Sequence, residues 1–354
     1  GGGCSSMGRS ESGSRPAGSA RGTSPSPPPR ARRRLTRYLL GSALLAFISA
    51  EIALRFAVGL GDPPLFDRDP AIEYLYKPSR RYRYFHHDLS FNAYSMRSPD
   101  FPARKPSPDE FRVMVIGDSI VTGGGRIDQT ELATELLRAR LSAELRRPVV
   151  VGNIAAGSWG PPNQLAYVQR FGLFDADVVI LVLNSGDADD APGLEAIGAA
   201  WPQSTPLLAT QELARRLLER ASPSLAERVG LLDRPGAAAY DERIVVVSHA
   251  LEGLAAAAGA SGAKIGAIQY LTLSERRAGA QPGQRIIADA LRAADILIGP
   301  PENGGGANPP STADPALFLA GDDVHPSAAG HARLAEDLLR LVRELQLSRQ
   351  SENR

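Results

Sequence analysis

A serine and an aspartate–histidine pair are the residues of this chain whose types and spacing suit catalysis. Ser119 follows an uninterrupted apolar run, residues 113–116, and the pair Gly117-Asp118. Such a run predicts a strand buried on both faces, and in open α/β sheets ligands and reactive groups lie at the carboxyl ends of the strands. A serine there can attack an ester if a histidine takes its proton and N–H groups hold the oxyanion. The same pattern also fits a loop in which the serine only caps the next helix.

The aspartate–histidine pair, Asp322-x-x-His325, comes just before the last helical pattern of the chain. At this spacing the carboxylate can accept a hydrogen bond from one imidazole nitrogen and leave the other nitrogen to face a serine. Pro326 and Ser327 then give a helix-start signal. The competing interpretation is that Asp322, Asp323 and Ser327 cap this helix and that His325 is a surface residue. With five histidines in the chain, candidates for a general base are few.

The elements that must position these residues follow a regular order from residue 111 onward. Strand patterns alternate with helical ones, which predicts a parallel sheet covered by helices on both faces. After the first strand, further strands are predicted at 148–151, 177–183 and 264–270. Helices are predicted at 129–145, 163–171, 209–221, 241–258, 284–294 and 327–345, with an irregular loop at 298–315.

Taken together, Gly117-Asp118-Ser119 and the block from Asp322 to Pro326 resemble the first and last motifs of the SGNH, or GDSL-type, hydrolase superfamily. Their order and separation fit, and the resemblance covers about residues 111 to 345. It implies an α/β fold: a three-layer α/β/α sandwich with a mostly parallel, flavodoxin-like sheet. It also implies a Ser119–His325–Asp322 triad that works without a cofactor. No metal is expected, because the sequence has no histidine cluster to hold one.

The two middle motifs of the family are less regular here. The second motif places a glycine after the second strand, so Gly157 or Ser158 would supply an oxyanion-hole N–H beside that of Ser119. The third motif is normally Gly-x-Asn-Asp, whereas this chain has Asn184-Ser-Gly-Asp, with a glycine at the asparagine position. We expect the displaced Asn184 to complete the oxyanion hole.

The amino-terminal part of the chain predicts a membrane anchor. Residues 1–34 are rich in Gly, Ser, Pro and Arg, which is typical of a disordered tail, here a basic one. Residues 35–60 are mostly apolar and long enough for a transmembrane signal anchor. Positive charge before this span predicts that the amino terminus stays in the cytoplasm and the rest lies on the periplasmic or extracellular side. A cleaved signal peptide, with Ser49-Ala50 near the cleavage site, is the alternative.

The remaining divisions are a linker or extension at 61–110 that packs on the domain, the SGNH-like domain at 111–346 and a short tail at 347–354. Residues 91–97 resemble the segment that precedes the domain in exported, anchored members of the superfamily. A net charge of +1 argues against a dedicated nucleic-acid surface. A single cysteine, Cys4, excludes an internal disulfide and a cysteine-based zinc site.

These observations predict a membrane-anchored serine ester hydrolase that acts outside the cytoplasm on an acyl or acetyl ester, either a small molecule or an acylated glycan. An O-acyltransferase that passes the acyl group to an exported polysaccharide would use the same acyl-serine. A non-catalytic glycan-binding or scaffold protein on this fold is the third possibility, which the altered Asn184 motif favours. The loops at 187–206 and 298–315 are expected to determine which acyl group and which alcohol the protein accepts.

Overall fold

The computed structural model describes residues 29–192, 201–221, 240–299 and 313–352. The chain divides into two compact units, Gly1–Ser49 and Ala50–Arg354. The predicted disordered tail lies outside the described residues up to residue 28, as do most of the predicted irregular loop at 298–315 and residues 193–200 of the loop at 187–206.

The amino-terminal unit contains most of helix α1, Pro29–Ala53, which continues into a π-helical turn, Leu54–Val58. The helix therefore begins at Pro29, within the tail that was predicted to extend to residue 34. Two helices are long and apolar enough to cross a membrane, Arg33–Val58 and Tyr240–Ser261. The second of these contributes Val247, Leu251 and Leu254 to the core of the larger unit, which is typical of a helix inside a globular domain.

Residues 61–110, which we expected to be a linker or extension, begin with two antiparallel hairpins. The first pairs β1, Phe66–Asp69, with β2, Glu73–Tyr76, and the second pairs β3, Arg80–Tyr84, with β4, His87–Phe91. Their aromatic side chains are buried, and the rings of Tyr76 and Phe91 stack at 4.1 Å between centroids. These hairpins are part of the hydrophobic core of the larger unit.

The central sheet has five strands in the order β6-β5-β7-β8-β9, and every adjacent pair is parallel. The strands are β5, Phe111–Gly117; β6, Val149–Ala155; β7, Val178–Leu183; β8, Lys264–Gln269; and β9, Leu297–Ile298. This is the flavodoxin-like strand order, in which the ligand site lies where the chain direction switches beside the first strand. The predicted α/β fold with a parallel sheet is confirmed.

The helices of the larger unit agree with the predicted pattern and add two short ones. They are α2, Ser119–Thr122; α3, Ala133–Leu145; α4, Pro161–Phe171; α5, Ala209–Ala221; α6, Tyr240–Ser261; α7, Leu273–Ala278; α8, Pro282–Ala293; and α9, Ala328–Glu352. The predicted helix at 129–145 is interrupted at Leu132, whose ψ of 140° is extended. Because α9 continues to Glu352, the predicted tail at 347–354 is mostly helix.

Both faces of the sheet are buried, as the lack of polar alternation in β5 predicts. Met114 and Ile116 belong to a cluster shared with the hairpins, α4, α6 and α8. Val113 and Val115 point the other way, into a cluster built with α3 and α9. The result is the three-layer α/β/α arrangement.

The end of α1 makes polar contacts with the start of α5. The Glu51 carboxylate accepts hydrogen bonds from the backbone N–H groups of Ala209 at 2.8 Å and Thr210 at 3.0 Å, and from the Thr210 hydroxyl at 3.0 Å. Arg55 bonds to Glu51 and donates to the Leu207 carbonyl at 2.8 Å. A carboxylate at this position satisfies the N–H groups that the first turn of a helix leaves unpaired.

Arg112, on β5, is fully buried and ties the segment before the sheet to the sheet itself. Its guanidinium pairs with Glu110 at 2.6 Å and donates to the carbonyls of Phe174 at 2.7 Å, Arg104 at 3.1 Å and Ala103 at 3.3 Å. A buried charge is tolerated when its N–H groups are satisfied in this way.

We expect Arg112→Leu to lower the free energy of unfolding by about 3–5 kcal/mol, because the Glu110 carboxylate and three carbonyls lose their donor. Arg104→Leu is the matched control. Its side chain is 88% exposed in a pair with Asp175, so its loss should cost less than about 1 kcal/mol. Thermal or urea unfolding of the full chain in detergent measures both values, and equal losses would contradict the role given to Arg112.

Candidate active site

Ser119 lies at the tight turn between β5 and α2. A Cβ on Gly117 would lie 2.5 Å from the Val121 side chain and 3.1 Å from the Val182 carbonyl, so a glycine is required at the strand end. The Asp118 side chain then accepts a hydrogen bond from the Ile120 N–H at 2.8 Å and caps the one-turn helix. The serine is therefore displayed as the first residue of that helix.

The predicted triad residues are brought together by hydrogen bonds. His325 Nε2 lies 3.0 Å from Ser119 Oγ, and His325 Nδ1 lies 2.9 Å from Asp322 Oδ2. These are the two contacts that a serine, a general base and an orienting carboxylate need. The three side chains are partly exposed, and line a cavity of about 530 Å³.

The loop before α9 holds the pair in this geometry. Asp322 Oδ1 accepts hydrogen bonds from the N–H groups of Val324 and His325, both at 2.9 Å. Burial would raise the pKa of Asp322, but these two bonds and the imidazole together lower it below its usual value. Asp322 therefore remains an anion at neutral pH, as an orienting group must.

Asp323 has a different task from its neighbour. Its carboxylate accepts hydrogen bonds from the Ser274 N–H at 2.9 Å and the Ser274 hydroxyl at 2.6 Å, at the start of α7. These bonds connect the loop before α9 to α7. The imidazole of His325 is hydrogen-bonded to Asp322 and not to Asp323. The competing interpretation, in which both aspartates only cap α9, does not describe this arrangement.

The strand register brings the predicted oxyanion-hole residues to the same edge of the sheet. Ile116 of β5 pairs with Ile154 of β6 and with Leu181 of β7. Three positions beyond these partners stand Ser119, Gly157 and Asn184.

Gly157 and Ser158 follow β6 in an open turn. The Gly157 carbonyl accepts a hydrogen bond from the Tyr74 hydroxyl at 2.5 Å, and Ser158 has a φ of 58°. A Cβ on Gly157 would meet nothing within 4 Å, so space is open next to its backbone. A backbone N–H in this turn has room to approach a ligand, but neither residue lines the cavity that contains the triad.

The Asn184 side chain donates to two carboxylates. We had expected it to donate to the oxyanion instead. Its amide nitrogen donates to Asp187 Oδ2 at 2.8 Å and to Asp118 Oδ2 at 3.1 Å, and its oxygen accepts from the Gly186 N–H at 2.7 Å. Both amide hydrogens are thereby used. The asparagine joins the aspartate beside the nucleophile to the buried aspartate after β7.

The two carboxyls that share Asn184 are electrostatically unusual. Burial raises the pKa of Asp118 to about 6, with the Ile120 N–H and the nearby His325 acting in the opposite direction. Burial and then the charge of Asp118 raise the pKa of Asp187 well above its usual value. A buried pair of like charges disfavours the state in which both carboxyls are ionised, and the Asn184 amide donates to both of them.

Arg97 fixes the chain that follows the nucleophile. This buried side chain donates to the carbonyls of Thr122 at 2.8 Å, Gly124 at 2.7 Å and Ile127 at 2.5 Å. Burial lowers the pKa of Arg97 to about 10, so it remains charged at neutral pH. Burial and the charge of Arg97 lower the pKa of nearby His331 to about 3, which keeps that imidazole neutral.

Several residues of the cavity were not found by sequence reasoning. Tyr84 and Phe85 come from the second hairpin, Arg216 from α5, and Gly123–Arg126 from the turn after α2. The available signal was the alternation of arginine and tyrosine at 80–84, which is typical of a half-buried strand. Arg216 had no such signal, because it reaches the site from a distant part of the sequence. Among the residues described, no group of three or more His, Cys, Asp or Glu could hold a metal ion.

Comparisons with known proteins give a distant structural likeness. No family model matches the chain, and no curated protein matches it. A solved structure of TesA is similar at 17% identity with a TM-score of 0.40, covering 66% of this chain and 99% of its own. The acetylxylan esterase Axe2 from Geobacillus stearothermophilus is similar at 15% identity with a TM-score of 0.37. The match covers 65% of this chain and 93% of Axe2. A psychrotrophic esterase, EstA from Pseudoalteromonas sp., is similar at 11% identity with a TM-score of 0.38. The match covers 66% of this chain and 98% of EstA.

At these identities and scores the assignment of the site rests on the geometry of the chain itself. That geometry comprises the strand order β6-β5-β7-β8-β9, a serine directly after the central strand and an Asp-x-x-His pair before the last helix. The fold and the placement of these residues agree with what the sequence motifs predict.

Proposed function

We propose that this protein is a serine ester hydrolase with Ser119 as nucleophile, His325 as general base and Asp322 as the residue that orients the imidazole. The observation that carries the proposal is the unbroken chain of contacts from Ser119 Oγ to His325 Nε2 at 3.0 Å and from His325 Nδ1 to Asp322 Oδ2 at 2.9 Å. If Asp322 only capped the last helix and His325 were only a surface residue, there would be no reason for these three side chains to contact one another.

In the proposed reaction, His325 takes the proton of Ser119 as its oxygen attacks the ester carbonyl. The backbone N–H groups of Ser119 and of Gly157 or Ser158 are the proposed donors to the tetrahedral oxyanion. The imidazolium, stabilised by the Asp322 carboxylate, then protonates the leaving alcohol. Water, deprotonated by the same imidazole, attacks the acyl-serine and releases the acid.

The proposed location is outside the cytoplasm, with the helix Arg33–Val58 as a membrane anchor. The support is the length and apolar composition of this helix and the cluster of arginines that precedes it, which favours a cytoplasmic amino terminus. The proposed substrate is an acyl or acetyl ester, on a small molecule or a glycan.

Ser119→Ala should abolish hydrolysis of p-nitrophenyl acetate and labelling by a fluorophosphonate, because both need the same nucleophilic oxygen. Ser142→Ala is the matched control. Its hydroxyl only donates to the Arg138 carbonyl within α3, so labelling should be retained. Labelling that persists in Ser119→Ala would contradict the assignment of the nucleophile.

Asp322→Asn should lower kcat by several orders of magnitude, up to about 10⁴, because an amide at this position favours the wrong imidazole tautomer. Asp323→Asn should keep most of the activity, since the amide oxygen can still accept from Ser274. Steady-state kinetics on p-nitrophenyl acetate measure both. A larger loss in Asp323→Asn would show that the wrong aspartate has been assigned.

Asn184→Ala separates a positioning role from a role in the oxyanion hole. We expect a lower melting temperature, since Asp118 and Asp187 lose a donor worth about 1–3 kcal/mol when buried. A moderate fall in kcat should accompany it. A donor to the oxyanion would instead give a 10²–10³-fold fall in kcat at unchanged stability. Differential scanning fluorimetry and kinetics on the same preparation decide between the two.

A further inference from the structure

Two arginines line the proposed catalytic cavity, and a third lines the cavity next to it. The cavity of about 530 Å³ that contains Ser119 is also lined by Arg126 and Arg216. An adjoining cavity of about 240 Å³ shares Arg216, Tyr84, Gly124 and Gly125 with it and adds Arg215. The two cavities therefore adjoin at Arg216, and together they are called the cleft below.

Arg216 is held rigidly at the junction of the two cavities. Its Nε pairs with Glu212 at 3.0 Å, and a further N–H donates to the Tyr84 hydroxyl, which itself donates to Glu212. The guanidinium lies 5.5 Å from the centroid of the Tyr84 ring and 5.6 Å from that of Phe85. Even so, 42% of the side chain remains exposed, so a preorganised cation faces the cleft.

The acidic residues of the cleft compensate Arg216 but leave Arg126 and Arg215 without an ion pair among the described residues. Asp322 is occupied by His325, and Glu212 accepts from Arg216, from Tyr84 and from the Gly61 N–H at 2.8 Å. Within the described part of the chain, no carboxylate lies within ion-pair distance of Arg126 or Arg215. Three guanidinium groups thus face two carboxylates, both of which already have partners.

We propose that the cleft binds an ester whose molecule also carries an anionic oxyacid group, a carboxylate or a phosphate, which contacts Arg215, Arg216 and Arg126 while the ester lies at Ser119. This inference rests on the proposed function and adds the substrate class. A guanidinium presents its N–H groups as a planar fork that matches both kinds of anion. An arginine already fixed by Glu212 and Tyr84 loses little further conformational freedom when the anion binds.

The test compares, by the release of acetate, pairs of substrates that carry the same acetyl ester with and without the anionic group. O-Acetylated oligogalacturonate is compared with its methyl-esterified, neutral form, and acetylated glucose 6-phosphate with acetylated glucose. We expect the wild-type chain in detergent to show a higher kcat/KM for at least one anionic member, and the pair with the larger preference identifies carboxylate or phosphate. The preference should decrease with rising salt.

Arg215→Ala and Arg126→Ala should each lower the ratio of kcat/KM for the anionic over the neutral substrate by about tenfold or more, the size expected for a lost charge-assisted hydrogen bond. Arg216→Lys, which keeps the charge but not the fork, should lower the ratio by less than Arg216→Ala. Arg83→Ala, an exposed arginine in a pair with Asp88, is the control that should leave the ratio unchanged.

The outcomes separate this inference from the proposed function. Hydrolysis of p-nitrophenyl acetate through Ser119 with equal rates for the charged and neutral members of both pairs would overturn the anion site alone. Arginine variants that lose both members of a pair equally would overturn it too, since they would act on the fold. Absence of hydrolysis and of fluorophosphonate labelling would overturn the proposed function.

Discussion

Parallel pairing in register around the central strand is the constraint on which the site depends. β5 lies between β6 and β7, so the turns that follow all three strands open at the same edge of the sheet. The strands are buried on both faces, so a slip of one residue would move every side chain into the apolar cluster on the opposite face of the sheet. Gly117 lies close to Val121 and Val182, and this close approach fixes the direction of the chain at the end of β5, where Ser119 follows.

Residues before the sheet complete the site. Arg97 fixes three carbonyls of the turn that follows Ser119, and Tyr84 and Phe85 form a wall of the cleft. Residues 84–97 thus support the turn after Ser119 from outside the α/β layers. A segment that contributes both a buried cation and part of the cavity wall belongs to the same compact unit as the sheet.

The sequence predicted the elements whose signals are local. The apolar runs of β5 and β7 are contiguous, and Asp322 and His325 lie three residues apart in one loop, so four of the five strands and this pair could be read from local sequence. β9 was not predicted, because it is only two residues long. The hairpins were missed because their strands are four or five residues long and rich in arginine and tyrosine. The contacts of Asn184 with two carboxylates, and the position of Arg216 against Tyr84, depend on packing between distant segments and leave no periodic trace in the sequence.

The contact of Glu51 with the first turn of α5 links the end of the long apolar helix to the cleft. α5 carries Arg215 and Arg216, and its first N–H groups are satisfied by that carboxylate. A protease that released the domain by cutting after residue 58 would therefore also remove a helix cap and loosen the arginine side of the cleft. The end of the apolar helix and the arginine side of the cleft are thus coupled through a single side chain, Glu51.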